Sequence, residues 1–275
     1  MTSSAGDTRS SGGGDLARTL DLLWNTDRRP SRGPKPGLTL ERIVDAAVEV
    51  ADRDGLDALS MRRIATELGT GTMTLYRYVP GKAELLDLML DRVQRPEDDA
   101  APGPGRAPSA APDALPDAPA SPGDGGWQAA LEEHARATLA RYHRHPWLLG
   151  VNQSRPVLGP HALDGLERVL ARIRPMGLSD PELLSVIIMI DGYVVGAART
   201  DLFWQETERT SGLTESQFWE AQRPTLEKAM STGRYPVMAA LSEDTFGPDF
   251  DHFGFGLRRI LDGLEVHVAR RAETA

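Results

Sequence analysis

No cysteine occurs in the 275-residue chain, which excludes a disulfide framework and any thiolate metal site. Lysine is nearly absent as well: it stands only at 35, 82 and 228, so all but three of the 31 basic residues are arginine. Long apolar runs are missing. The longest, Leu183 to Ala198, is interrupted by Asp191 and reads as too short for a bilayer span of about 20 residues. The first residues, Met1 to Asp15, are Ser/Gly-rich and carry no apolar signal-peptide core, so a cytoplasmic protein is expected. The common catalytic signatures are lacking: no H-E-x-x-H, no G-x-S-x-G, no P-loop and no G-x-G-x-x-G after a strand. His143 and His145, with His134 nearby, come closest to a ligand cluster, but positions i and i+2 do not share a helix face. The chain is therefore expected to be no enzyme and to hold neither metal nor cofactor.

What is present is an ordinary globular composition, 40% hydrophobic and 26% charged, long enough for two domains at about 150 residues each. A net charge of −9 argues against a wholesale nucleic-acid coat. The sum hides a local excess of cations, however. Arg28, Arg29, Arg32 and Lys35 stand together without an acid, and residues 60–82 hold Arg62, Arg63, Arg77 and Lys82 against Glu67 alone. Counterion release depends on local phosphate contacts, so a small basic face suffices on an acidic protein.

Helical periodicity dominates. Residues 1–37 read as a flexible extension with a basic arm, relieved only by an amphipathic turn or two at Leu16, Leu20, Leu23 and Trp24. From Leu40, apolar residues recur at Ile43, Val44, Ala47, Val48 and Ala51, with Thr39 as N-cap and Gly55 as terminator. Ser60 caps a second helix, a third runs from about Thr72 to Val79, and a fourth starts at Lys82. Residues 96–126 are 8 Pro, 5 Gly and 8 Ala in 31, a composition that reads as a linker. Beyond it, 127–271 is helical again: Asp180-Pro181-Glu182 opens a long apolar helix to about Gln205, Thr214 and Gln217 form a capping box, and a last helix covers about 251–270. No alternating β pattern survives, so the expected fold is all-α, with a three-helix helix-turn-helix domain at 38–95 and a helical regulatory domain at 127–271.

Residues 59–79 have helix-turn-helix spacing. Ala65 sits where two helices cross, Gly69 can take the left-handed turn, and Leu75 packs back on Ile64. Such a turn delivers the second helix to a major groove by its N-terminal end. The run from Leu59 through Leu86, above all Leu75-Tyr76 and Lys82 with the following Leu85, resembles the DNA-binding domain of the TetR family. His145-Pro-Trp-Leu, Ser154-Arg-Pro and Phe253-Gly-Phe-Gly-Leu resemble its tetracycline-repressor-type regulatory domain. The resemblance implies base contacts from Arg62, Thr72, Met73 and Thr74, and phosphate contacts from Tyr76, Tyr78 and Lys82, aided by the N-terminus of the following helix. Arginine can fork onto guanine, and a Thr or Met methyl can touch thymine. The arm at Arg28 to Lys35 fits either a minor groove or a solvated tether.

The resemblance further implies a homodimer on a palindromic operator, joined through helices about 181–205 and 251–270. Gly192 and Gly196, four apart in the former, suit a close helix approach. It also implies a repressor released by a small-molecule effector; the alternatives are a constitutive DNA-binding regulator without effector or a helical enzyme. Polar residues set among apolar ones in the second domain are the candidate effector contacts: His134, Thr138, Trp147, Asn152, Asp191 and Tyr193.

Overall fold

The computed structural model describes residues 9–25, 38–95, 126–242, 245 and 250–274. The basic arm Arg28 to Lys35 and all but the last residue of the Pro/Ala/Gly-rich stretch lie outside the described residues. Among those described, all extended regular structure is helical, and pairing is limited to one isolated bridge between Ser10 and Asn152.

The helix-turn-helix begins with α2 (Leu40–Asp54), whose N-cap Thr39 accepts the Arg42 amide and whose stripe from Ile43 to Ala51 is buried. Gly55, at φ +81°, ends it. Ser60 caps α3 (Met61–Glu67) by accepting the Arg63 amide. The turn then closes as the Thr70 amide donates to the Ala65 carbonyl at 2.9 Å, with Gly69 at φ +62°. The short α4 (Thr72–Tyr76) follows, and α5 (Lys82–Arg92) leads away. Ile43, Ile64, Leu75, Leu85, Leu86 and Met89 are fully buried in one core, each contributing about 1.5–3 kcal/mol by leaving water.

Ahead of this domain lies α1 (Leu16–Trp24), capped by Asp15 and packed on α5. Part of the N-terminal extension therefore belongs to the folded body. After residue 125 come α6 (Gly126–Arg144), α7 (Pro160–Ile173) and α8 (Asp180–Ser211). Gly126, expected to end the linker, is the first residue of α6. At 32 residues, α8 is also longer than the sequence suggested, and by length and composition alone it could cross a membrane. Its buried Leu183, Val186, Ile187, Ile190, Val194 and Ala198 recur at helical spacing, the pattern of a helix packed on protein along one side.

The chain divides into two compact units, Met1–Asp191 and Gly192–Ala275, so the division falls inside α8. Residue 95 marks no such boundary. The reason is that Trp147, Leu148 and Val151 enter the same core as the helix-turn-helix, and α5 packs on α7. In the second unit α9 (Glu215–Met230) opens with the capping box between Thr214 and Gln217 and buries no residue. α10 (Pro236–Ala239) and α11 (His252–Thr274) complete it. Tyr193 stacks on Phe253 at 5.6 Å, and its hydroxyl donates to the Phe253 carbonyl at 2.9 Å.

Candidate nucleic-acid interface and effector cavity

The turn at Gly69 sets α4 against α3 through buried Ile64, Ala65 and Leu75, leaving the opposite face to solvent. That face carries Arg62, Met73 at 78% exposure and Tyr76, with Thr72 and Thr74 half-buried beside them. Electrostatics sort the nearby arginines. Arg53 and Arg63 both reach Asp54 and Glu67, at 2.7 to 3.1 Å, and the hydrogen bond from Arg53 holds the Asp54 carboxyl below the usual range. Arg62 and Arg77 make no side-chain hydrogen bond or ion pair with any described residue. Arg77 enters the sequence reading only as local charge, and its freedom shows only once the ion pairs around it are placed.

Two expected phosphate holders lie differently. Tyr78 is half-buried against the core and donates its hydroxyl inward, to the Leu38 carbonyl at 3.2 Å. Its donor is spent on the fold, and a phosphate contact would require that bond to open. Lys82 Nζ lies 3.4 Å from the Leu56 carbonyl, and burial pushes its pKa below the usual lysine range.

The candidate effector residues divide three and three. His134, Thr138 and Asp191 line a cavity of about 820 Å³ within the first unit. His134 Nε2 and Asp191 Oδ1 are 2.8 Å apart, while Thr138, 7% exposed, has a hydroxyl without a partner among the described residues. Trp147, Asn152 and Tyr193 are not in its wall. The Trp147 indole donates to Asp52 Oδ1 of α2 at 2.7 Å, where His145 Nδ1 also binds at 2.8 Å. Asn152 Oδ1 accepts the Ser154 amide, and Tyr193 serves the second unit. These three polar groups are engaged in the fold, and periodicity alone does not say which way they face. The wall also includes Gln94, Arg141 and Tyr142, which the sequence reading missed. Arg141 has no ion-pair partner among the described residues. Burial pulls its pKa below the usual arginine value, against the opposing pull of Asp191. Among the described residues no group of three His, Asp or Glu could hold a metal ion.

Residues 43–89 match the model of bacterial regulatory proteins of the tetR family, and residues 118–268 match the tetracyclin repressor-like C-terminal domain. The chain belongs to the TetR family. It is thus a DNA-binding transcriptional regulator rather than an enzyme. A relative, the HTH-type transcriptional repressor DrrR1 of Streptomyces coeruleorubidus, is 68% identical over 275 residues, covering 100% of this chain and 95% of the relative. Among solved structures, a TetR regulator from Streptomyces coelicolor superposes with a TM-score of 0.60 at 25% identity, covering 82% of this chain and 97% of that one. The TetR family protein ActR of the same organism, in complex with actinorhodin, gives 0.62 at 29% identity, covering 85% and 98%.

Proposed function

We propose that this TetR regulator is a cytoplasmic homodimeric repressor that sits on a two-fold symmetric operator and leaves it when a small molecule fills the cavity. The observation that carries the reading is the division of charge on the helix-turn-helix. Arg53 and Arg63 are consumed by Asp54 and Glu67, whereas Arg62 and Arg77 have no such partner among the described residues and stand beside exposed Met73 and Tyr76. Arg62 and the Thr72–Thr74 segment face base edges; Tyr76, Arg77 and Lys82 neutralise phosphates. One such motif reads few base pairs, so two copies are required.

An apolar face of α8 supports pairing of two copies. Leu184 and Ile188, which also border the cavity and of which the latter is 70% exposed, continue at four-residue spacing into Gly192 and Gly196. A Cβ at either glycine would meet nothing within 4 Å, so the described residues supply no partner for a close approach there. A second copy using α8 and α11 would.

The cavity favours a mostly apolar molecule bearing an oxygen that accepts from Arg141 and Thr138. Its wall includes the apolar Leu90, Val93, Leu166, Val169 and Ile187, interrupted by charged Glu133, Arg168 and Arg172 besides the groups already named, and ActR, a relative of similar fold, has been solved with actinorhodin. The effector acts only through its differential affinity for the two conformers, worth about 1–3 kcal/mol in ordinary coupling. The test titrates actinorhodin and smaller aromatic acids against a complex with a duplex selected by the protein. Release by one of them, diminished in Arg141→Gln, supports the reading. A complex that no compound of this class releases overturns the effector half and leaves a constitutive regulator.

A further inference from the structure

Ser11 places one hydroxyl between two parts of the first unit. It donates to Asp87 Oδ1 of α5 at 2.8 Å and accepts the Val157 amide at 3.2 Å. Val157 belongs to the rim segment 152–158, from which Gln153, Ser154, Pro156, Val157 and Leu158 line the cavity. Around this atom the N-terminal segment is held at both sides. The Ser11 amide donates to the Asn152 carbonyl at 3.0 Å, and the Asn152 amide returns a bond to the Arg9 carbonyl at 2.8 Å. Trp24 Nε1 reaches the Leu158 carbonyl at 3.3 Å.

On the other side lies α5. Glu84, Asp87 and Asp91 occupy one face of it and are buried. Buried carboxylates require donors, and these come from outside the helix-turn-helix. The Asp15 amide donates to Glu84 at 3.0 Å, the Gly12 amide to both oxygens of Asp87 at 3.0 and 3.2 Å, and the Ala162 amide of α7 to Asp91 at 3.0 Å. Arg9 adds an ion pair to Asp57 in the turn before α3. Glycine suits this path: Gly12 has φ +67°, and a Cβ on Gly14 would fall 2.4 Å from Glu84 Oε1 and 3.2 Å from the Ala83 Cβ, so the Glu84 carboxylate would have to give way. The far end of α5 itself enters the cavity wall through Leu90, Val93 and Gln94.

We propose that residues 9–25 are a coupling strap, tying the rim of the effector cavity to α5 and to the turn before α3, so that displacement of the rim is carried to the DNA-reading head. The strap's function rests on the effector reading of the cavity, but its mechanical coupling can be tested without an effector. Full-length wild type, Gly14→Val and Ser11→Ala are compared by hydrogen–deuterium exchange and by affinity for a duplex selected by the wild type. A third variant, Ser10→Cys/Asn152→Cys, locks the strap to the rim by a disulfide between bridge partners, in a chain with no cysteine of its own. In Gly14→Val the amides of 152–158 and of the first turns of α5 exchange together about tenfold faster, and duplex affinity falls about fivefold or more. Ser11→Ala does the same to a smaller degree, and the oxidised cysteine pair slows both segments. Faster exchange confined to 9–25, or an unchanged duplex affinity, overturns the proposal. Neither result depends on any compound releasing DNA, so a failed effector search and a failed strap are told apart.

Discussion

Tyr78 donates its hydroxyl to the Leu38 carbonyl, 3.2 Å away, and so ties the segment after α4 to the start of α2. Tyr76, two residues earlier, is 44% exposed. Two tyrosines that look alike in sequence thus have different tasks. Tyr78→Phe is expected to lower stability by about 1 kcal/mol, the net worth of one hydrogen bond, with duplex affinity following only as stability does. Tyr76→Phe leaves stability unchanged and weakens binding to every duplex. Urea denaturation and anisotropy titration of both variants check this; loss of stability in Tyr76→Phe instead would reverse the assignment.

The free arginines separate base reading from charge. Arg62→Ala is expected to cost about 1–3 kcal/mol and to relax preference at one base position. Arg77→Ala and Lys82→Ala weaken all duplexes alike and each flatten the salt dependence by about one unit. Arg63→Ala, by contrast, removes a cation already paired with Asp54 and Glu67 and leaves the salt slope nearly unchanged. Affinities of all four variants across a set of single-base operator variants and salt concentrations decide the matter. Equal losses on every duplex from Arg62→Ala would contradict its role.

The reading helix is held by what lies beneath it. Leu75 is fully buried, and Leu75→Ala is expected to cost about 2–5 kcal/mol. Gly69→Ala places a Cβ at φ +62° and costs about 1–2 kcal/mol from backbone strain alone, since a Cβ there has open space. Denaturant midpoints measure both.

Much of the first domain is legible in the sequence because local chemistry decides it. The caps Thr39 and Ser60, the terminator Gly55, the turn at Gly69 and the start of α4 at Thr72 all follow from residue type at a spacing. What tertiary contact decides is not legible. Nothing in the spacing of Glu84, Asp87 and Asp91 marks them as buried, yet distant backbone amides bind them in the interior. Arg141, near the C-terminus of α6, carries no sequence mark that sets it apart from the neighbouring arginines, yet it lines the cavity. Trp147 and Tyr193 read as ligand contacts because a sequence does not reveal that Asp52 and the Phe253 carbonyl stand opposite them.

Asp87 gives a pH signature. Burial, with Glu84 as a negative neighbour, pushes its carboxyl above the usual aspartate range, although bonds from Gly12 and Ser11 oppose the shift. A carboxyl raised in the folded state binds its proton more tightly there than in the unfolded chain. Its charge therefore costs stability at neutral pH, and that cost is relieved as pH falls through the folded value towards the ordinary one near 3.9. Asp87→Asn lacks the charge and keeps an acceptor for Ser11 and Gly12. The stability of wild type relative to Asp87→Asn is expected to rise as pH falls from about 7 to about 4, measured by urea denaturation. A difference that is flat or falls over this window would contradict the assignment.

The most direct measurement is selection of bound duplexes from random DNA by the full-length protein, at moderate salt and with excess bulk competitor. Enrichment of one two-fold symmetric sequence, with protection on two successive major grooves and loss of preference at one position per half-site in Arg62→Ala, is the predicted result. Recovery of no sequence in preference to the competitor would contradict the account at its base.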